Sequence, residues 1–281
     1  MKLFRSFSFL TREQKAFFDK NGYLYLPKLI PNTEIAEAKI RAYEHIDSWV
    51  PSSNHPVFTN NDLSLTTNDY FFKSAYKISF FLEDSAKPPI ANKRTAVNKI
   101  GHALHDLDNV FRKFSYRKEY KLALNDLGYT NPQIVQSMFI IKGPKVGGEI
   151  KPHQDCSYII TEPASCIGIW VAMEEASSEN ACMYAVPGSH KSGTQVFWER
   201  NGSTMTHSNP FQYSTANAVC LEAKPGTAIL LHGDLVHWSE HNRSDKSRHA
   251  YTLHIVKGDY EWSPKNWLQR PSFFPFRTWD S

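Results

Sequence analysis

The sequence predicts a mainly β fold with flanking α-helices, and two observations lead there. From Gln133 onward, short β-branched and aromatic runs at 134–141, 167–173, 182–186, 228–231 and 251–256 are separated by Gly and Pro turns, the rhythm of a β-sandwich or barrel. Before about residue 130 the texture is more helical, with apolar residues recurring at three- and four-residue intervals. No repeat, low-complexity tract or linker interrupts the 281 residues, and 41% hydrophobic content supports a sizeable core. One domain over 1–281 is therefore expected, with a helix-rich portion at about 1–130, a core at about 131–258 and an aromatic C-terminal tail.

Taken in order, Thr11 and Gln14 form a capping box before Ala16, Phe17 and Phe18, and Asn21-Gly22 supplies a stop, so 12–20 reads as a helix. Tyr23-Leu24-Tyr25-Leu26 reads as a strand. Pro31-Asn32 opens a second helix whose Ile35, Ala38, Ala42 and Ile46 share one face. The Ser-, Thr- and Asn-rich stretch 51–69 is a surface loop, 78–82 a strand ended by Lys87-Pro88-Pro89, and 102–111 and 120–127 are helical.

A net charge of +4, with signs alternating along the chain, argues against nucleic acid as a partner. The first ten residues do not read as a signal peptide, no stretch has the length of a membrane span, and the C-terminus is neither a peroxisomal signal nor a prenylation box. Cys156, Cys166, Cys182 and Cys220 form no CxxC or zinc-finger spacing and suit reduced thiols. The expectation is a cytoplasmic protein with no membrane partner; oligomeric state is not encoded legibly.

Metal chemistry enters at Pro152-His153-Gln154-Asp155, because residues i and i+2 of an extended segment project to the same side and reach one ion. A second imidazole from a distant strand would complete a two-His, one-carboxylate facial triad with three open positions. For it the sequence offers His207, His232, His237, His241, His249 and His254. Period-two alternation along 248–256 puts Arg248, Ala250, Thr252 and His254 on one face, and an inward guanidinium matches a carboxylate bidentately. The bland readings are a His-Asp turn and a surface ion pair. His102 and His105 read as a surface or capping pair on a helix rather than as a second metal site.

With Asn98-Lys99-Ile100-Gly101-His102, Val135-Gln136-Ser137-Met138, Gly147-Gly148-Glu149, Pro187-Gly188-Ser189-His190, Ser247-Arg248 and Trp262-Ser263-Pro264 in this order, the chain resembles the phytanoyl-CoA dioxygenase family of Fe(II)/2-oxoglutarate oxygenases. The likeness runs from Phe17 to Phe276. It implies a double-stranded β-helix, a cupin-like jelly roll, with the metal at its mouth. It implies His153, Asp155 and His237 as iron ligands, Arg248 as anchor of the far carboxylate of 2-oxoglutarate, and Lys99, Met138, Trp170 and Ser239 around that cosubstrate. The implied activity is hydroxylation of a small organic or acyl substrate, consuming O₂ and releasing succinate and CO₂, with ascorbate as a stimulant. A carboxylate at Asp155 favours hydroxylation over halogenation. Cys156 and the stretch 192–219 depart from the family pattern. A zinc hydrolase would use the same ligands but gives Arg248 and Lys99 no task; a metal- and 2-oxoglutarate-binding sensor that does not turn over is the other alternative.

Overall fold

The computed structural model describes residues 8–51, 69–86, 89–207 and 211–280. Eight antiparallel strands form the larger sheet. Its path runs β1 (Tyr23–Leu26), β12 (Ala228–His232), β7 (Ile167–Ala172), β14 (Ala250–Lys257), β4 (Pro132–Ile140), β3 (Val97–His102) and β2 (Ile78–Leu82), with β16 (Arg277–Thr278) pairing to β4. The smaller sheet is β11 (Val219–Leu221), β8 (Met183–Ala185), β13 (His237–Ser239) and β5 (Ile150–His153). Two further pairs stand apart, β9 (Trp198–Asn201) with β10 (Thr204–His207), and β6 (Thr161–Glu162) with β15 (Glu261–Trp262). This is the double-stranded β-helix expected.

Both faces of the larger sheet are covered, so its strands read as nearly continuous apolar runs while still alternating in destination. Ile169 and Val171 of β7, Leu230 of β12 and Tyr251, Leu253 and Ile255 of β14 pack against the helices. Their neighbours Trp170, Ala172, Ile229, Leu231 and Ala250 turn into the space between the sheets, with Met183, Ala185 and Leu221 from the smaller one.

Helix α1 (Arg12–Asn21) begins at the Thr11 capping box, with Gln14 N–H donating to the threonine hydroxyl, and ends at Gly22 in the left-handed conformation. Helix α2 (Asn32–Ser48) buries Ile35, Ala38, Ala42 and Ile46, the stripe read from spacing. Ala38 and Ala42 are wholly buried, small enough to bring the helix axis close to its neighbours. Helices follow at Leu104–Leu107, Asn109–Ser115 and Lys118–Asp126. Two expectations fail here: the helix expected from His102 starts only at Leu104, because His102 ends strand β3, and His102 and His105, expected as a surface or capping pair, are both buried. The loop expected at 51–69 and the Lys87-Pro88 breaker fall almost wholly outside the described residues. No helix among the described residues is long and apolar enough to cross a membrane.

Candidate metal centre

Strand β5 carries His153, and the chain then leaves it in a tight turn, Asp155–Ser157, that swings the carboxylate back to the same side. Between them Gln154 faces the other way, wholly buried, donating to the Gly193 and Asp234 carbonyls and accepting from Gln195 N–H. The third group arrives by pairing: β13 lies antiparallel to β5 with His237 opposite His153. Ligand atoms of His153, Asp155 and His237 all lie within 4.8 Å of one another. Asp155 Oδ1 is 3.7 Å from His153 Nε2 and 3.8 Å from His237 Nε2.

Each imidazole is held in the tautomer a metal requires. His153 Nδ1–H donates to Lys151 O at 2.8 Å and His237 Nδ1–H to Leu235 O at 2.9 Å, leaving both Nε2 lone pairs free to bind. Burial, with the neighbouring His237, lowers the His153 pKa to about 4, so the ring is neutral in the physiological range. Burial pushes Asp155 upward, but His254 and the two ligand histidines outweigh it and hold the carboxyl below its usual range. A Cβ at Gly168 would lie 3.2 Å from Asp155 Oδ2, so this glycine gives the carboxylate its room.

Reading the sequence alone did not assign the residue that orients this carboxylate. His254 Nε2 sits 3.2 Å from Asp155 Oδ2 and its Nδ1 3.0 Å from Gln136 Oε1, so His254, one of the six alternatives for third ligand, holds the far oxygen instead. The signal was the inward face of β14 that also carries Arg248. The other four alternatives are not in this ligand group. His232 packs against Phe18 and His190, His249 against Tyr43 and Glu174, and His207 against Trp198.

Two cavities meet at the triad. One, about 80 Å³, is lined by Met138, Trp170, Ser239, Arg248 and Thr252 together with the three metal-binding side chains. Arg248 is 1% exposed, with Nε donating to Ala181 O at 3.1 Å and Nη2 to Ser239 Oγ at 3.4 Å. Its Nη1 is buried without a hydrogen-bond partner, and its guanidinium lies 5.6 Å from the Trp170 ring. A buried cation with an unused donor, beside a metal triad, fits an incoming carboxylate. Iron and 2-oxoglutarate therefore suit the residues present.

Lys99 does not line that chamber. It lines the second, larger cavity with Phe71, His102, Tyr158 and Trp267, on the other side of the shared Met138, Ile140, His153 and Asp155. Burial lowers its pKa to about 7. Cys156, the departure next to Asp155, points away from the metal into a small apolar cluster with Val135, Ile159, Cys166 and Val256. The divergent stretch after Ser192 reaches the rim of the second cavity, where Trp198 stacks on Tyr158. Trp267 of the aromatic tail forms part of the cavity wall.

The comparisons agree with this geometry. The phytanoyl-CoA dioxygenase (PhyH) family profile matches residues 18–250. A phytanoyl-CoA dioxygenase of Arabidopsis thaliana is 41% identical over 271 residues, covering 93% of this chain and 94% of the relative. Phytanoyl-CoA dioxygenase domain-containing protein 1 of Danio rerio is 37% identical over 283 residues, covering 95% and 97%. Among solved structures, EctD from S. alaskensis with 2-oxoglutarate and 5-hydroxyectoine superposes with a TM-score of 0.68 at 18% identity, covering 97% of this chain and 86% of that one. The epimerase SnoN, solved with Fe3+, alpha ketoglutarate and nogalamycin RO, gives 0.65 at 14% identity, covering 92% and 90%. These two likenesses concern the fold. With its triad and near-full-length relatives, this chain belongs to the phytanoyl-CoA dioxygenase family of Fe(II)/2-oxoglutarate-dependent oxygenases.

Proposed function

We propose that the chain is one dioxygenase domain that hydroxylates a small organic or acyl substrate with O₂ and 2-oxoglutarate, releasing succinate and CO₂. His153, Asp155 and His237 hold Fe(II), and Arg248 holds the far carboxylate of the cosubstrate. The observation that carries this reading is Arg248: a buried guanidinium with Nη1 unpartnered, in a cavity that opens onto the triad. A zinc hydrolase has no use for it.

This chain's own groups do the positioning. Arg248 Nη1 and the Ser239 hydroxyl, freed to donate because its oxygen accepts from Nη2, face one carboxylate together. Met138 and Trp170 wall the chamber and exclude water. Lys99, which lines the adjoining cavity with His153 and Asp155, would offset the negative charge of a bound cosubstrate. His254 keeps Asp155 Oδ2 occupied so that Oδ1 faces the metal. Bound iron, with 2-oxoglutarate and O₂, supplies the oxidising power; ascorbate keeps the metal ferrous. The four cysteines are free thiols, which supports a reducing compartment, the cytoplasm.

The test is succinate formation by protein purified without O₂, then given Fe(II), ascorbate and 2-oxoglutarate with and without O₂. Succinate that needs iron and O₂, and falls in Asp155→Ala and Arg248→Ala, is the expected result. Binding of 2-oxoglutarate without any turnover would make the protein a sensor, and absence of binding would end the oxygenase reading.

A further inference from the structure

The second cavity is built for something other than the cosubstrate. Its wall is aromatic: Phe71 and Trp267 lie 4.5 Å apart between ring centres, His102 is 5.0 Å from Trp267, and Tyr158 stands 6.3 Å from the His153 ring. Such flat faces, opposite a metal, select a flat apolar body.

One directional group interrupts that wall. His102 is 1% exposed, and its Nδ1 lies 2.7 Å from Ser74 Oγ. The Ser74 hydroxyl spends its only hydrogen on Phe71 O at 2.5 Å, so His102 Nδ1–H donates to the serine oxygen. Burial, reinforced by Lys99, keeps the ring neutral. Its Nε2 is then a bare lone pair, without a hydrogen bond to any described residue, on a ring that lines the cavity. An acceptor that faces a cavity is met there by water or by a donor of the ligand that displaces it.

Charge gives the third constraint. Lys99 and Lys151 line the cavity, and among the described residues Asp155 is its one acid. Once iron, the cosubstrate dianion, Asp155, Arg248 and Lys99 are in place, a surplus of positive charge remains, and Lys151 at the rim adds to it.

Resting on the oxygenase reading of the triad, we propose that this cavity receives the substrate as a small organic anion with a flat, ring-sized apolar body and a hydroxyl or N–H that His102 Nε2 accepts. His102 is thus a specificity residue that touches the substrate, and Ser74 is the positioning residue that fixes its tautomer.

Calorimetry on Mn(II)-loaded protein, saturated with 2-oxoglutarate and kept free of O₂, tests this with 4-hydroxyphenylacetate, phenylacetate and 4-hydroxyphenylacetamide. The hydroxy acid binds about five- to tenfold more tightly than either analogue, one hydrogen bond or one charge apart. In His102→Phe the preference for the hydroxyl collapses while the preference for the acid over the amide persists; Ser74→Ala, which leaves the ring in place, shrinks the hydroxyl preference. Thermal melts establish that both variants fold. A wild-type protein indifferent to the hydroxyl, a preference that survives in both variants, or no binding of any probe at millimolar concentration overturns the proposal. Failure of Mn(II) or 2-oxoglutarate to bind is seen before any probe is added, and refutes the oxygenase reading together with this one.

Discussion

If Lys99 closes on the metal-bound end of 2-oxoglutarate, binding above neutral pH must draw a proton from solution. Lys99 is 8% exposed, and burial lowers its pKa from 10.5 to about 7. At pH 8 about nine-tenths of the molecules therefore hold it neutral, and at pH 6 about one-tenth. An arriving carboxylate favours the ammonium form and restores a higher pKa. Calorimetry of 2-oxoglutarate binding to Mn(II)-loaded protein, repeated in buffers of different ionisation enthalpy, should show uptake of about 0.9 proton at pH 8 and about 0.1 at pH 6. Lys99→Met should remove that uptake while retaining binding through Arg248. Without ligand, the same shift makes stability rise with pH between about 7 and 10.5, because there the unfolded chain binds a proton that the folded one does not; it is lost as pH falls through 7. Lys142, lowered to about 6 by burial and Arg248, lines neither cavity and remains in the variant as an internal control. Uptake below about 0.2 proton at pH 8, or equal uptake in Lys99→Met, would refute the assignment.

Three other outcomes are expected. Arg248→Lys keeps a charge but loses the fork, so 2-oxoglutarate binding should weaken by about 30-fold or more with Mn(II) affinity unchanged, as read by calorimetry. Asp106→Asn should cost about 3–5 kcal/mol in urea unfolding, because the wholly buried carboxylate holds Arg270 at 2.5 Å and His105 at 3.1 Å, and its loss strands the guanidinium; a cost below about 1 kcal/mol would show the cluster to be energetically idle. Gly226→Ala should lower stability by about 2 kcal/mol in the same assay, since Gly226 has φ +80° and an added Cβ would run into the Ile30 carbonyl oxygen.

Local physics made part of this molecule readable. The Thr11 capping box and the Ile35, Ala38, Ala42, Ile46 stripe depend on neighbours within one or two helical turns, and both appear as read. The same holds for His153 and Asp155, two residues apart, and for the inward Arg248, Thr252 and His254. The choice of His237 could not be local, because it depends on β13 pairing with β5 across more than eighty residues. Within the residues themselves six histidines stood level; family resemblance chose among them, and the pairing supplies the physical reason. Strand β3 was obscured differently. Its last residues, Gly101-His102, run into a polar segment whose composition suits a helix, and only pairing with β2 and β4 makes them a strand. Lys99 then sits opposite Ile140 rather than beside Arg248, a placement no spacing rule contains.

The two cavities differ in what builds them, and that difference lets one change while the other stays fixed. Trp170, Met138 and Arg248 come from or adjoin β7, β4 and β14, the middle of the larger sheet, where β14 is paired on both sides. A one-residue slip in β14 would turn Tyr251, Leu253 and Ile255 into the barrel and Thr252 and His254 out toward the helices, wrecking the core and the cosubstrate chamber together. The register is thus held by hydrophobic burial that has nothing to do with chemistry, and the chemistry inherits its precision. Phe71, His102, Tyr158 and Trp267 come from a short helix, a strand end, a turn and the tail, each outside that doubly paired strand. Substitutions there alter the substrate wall without disturbing β14, so the metal and cosubstrate machinery stays fixed while the second cavity changes shape. Exchanging Trp267 for Phe should accordingly change which acids bind and leave 2-oxoglutarate affinity within about twofold; a parallel loss of both would mean that the tail supports the metal centre rather than the substrate.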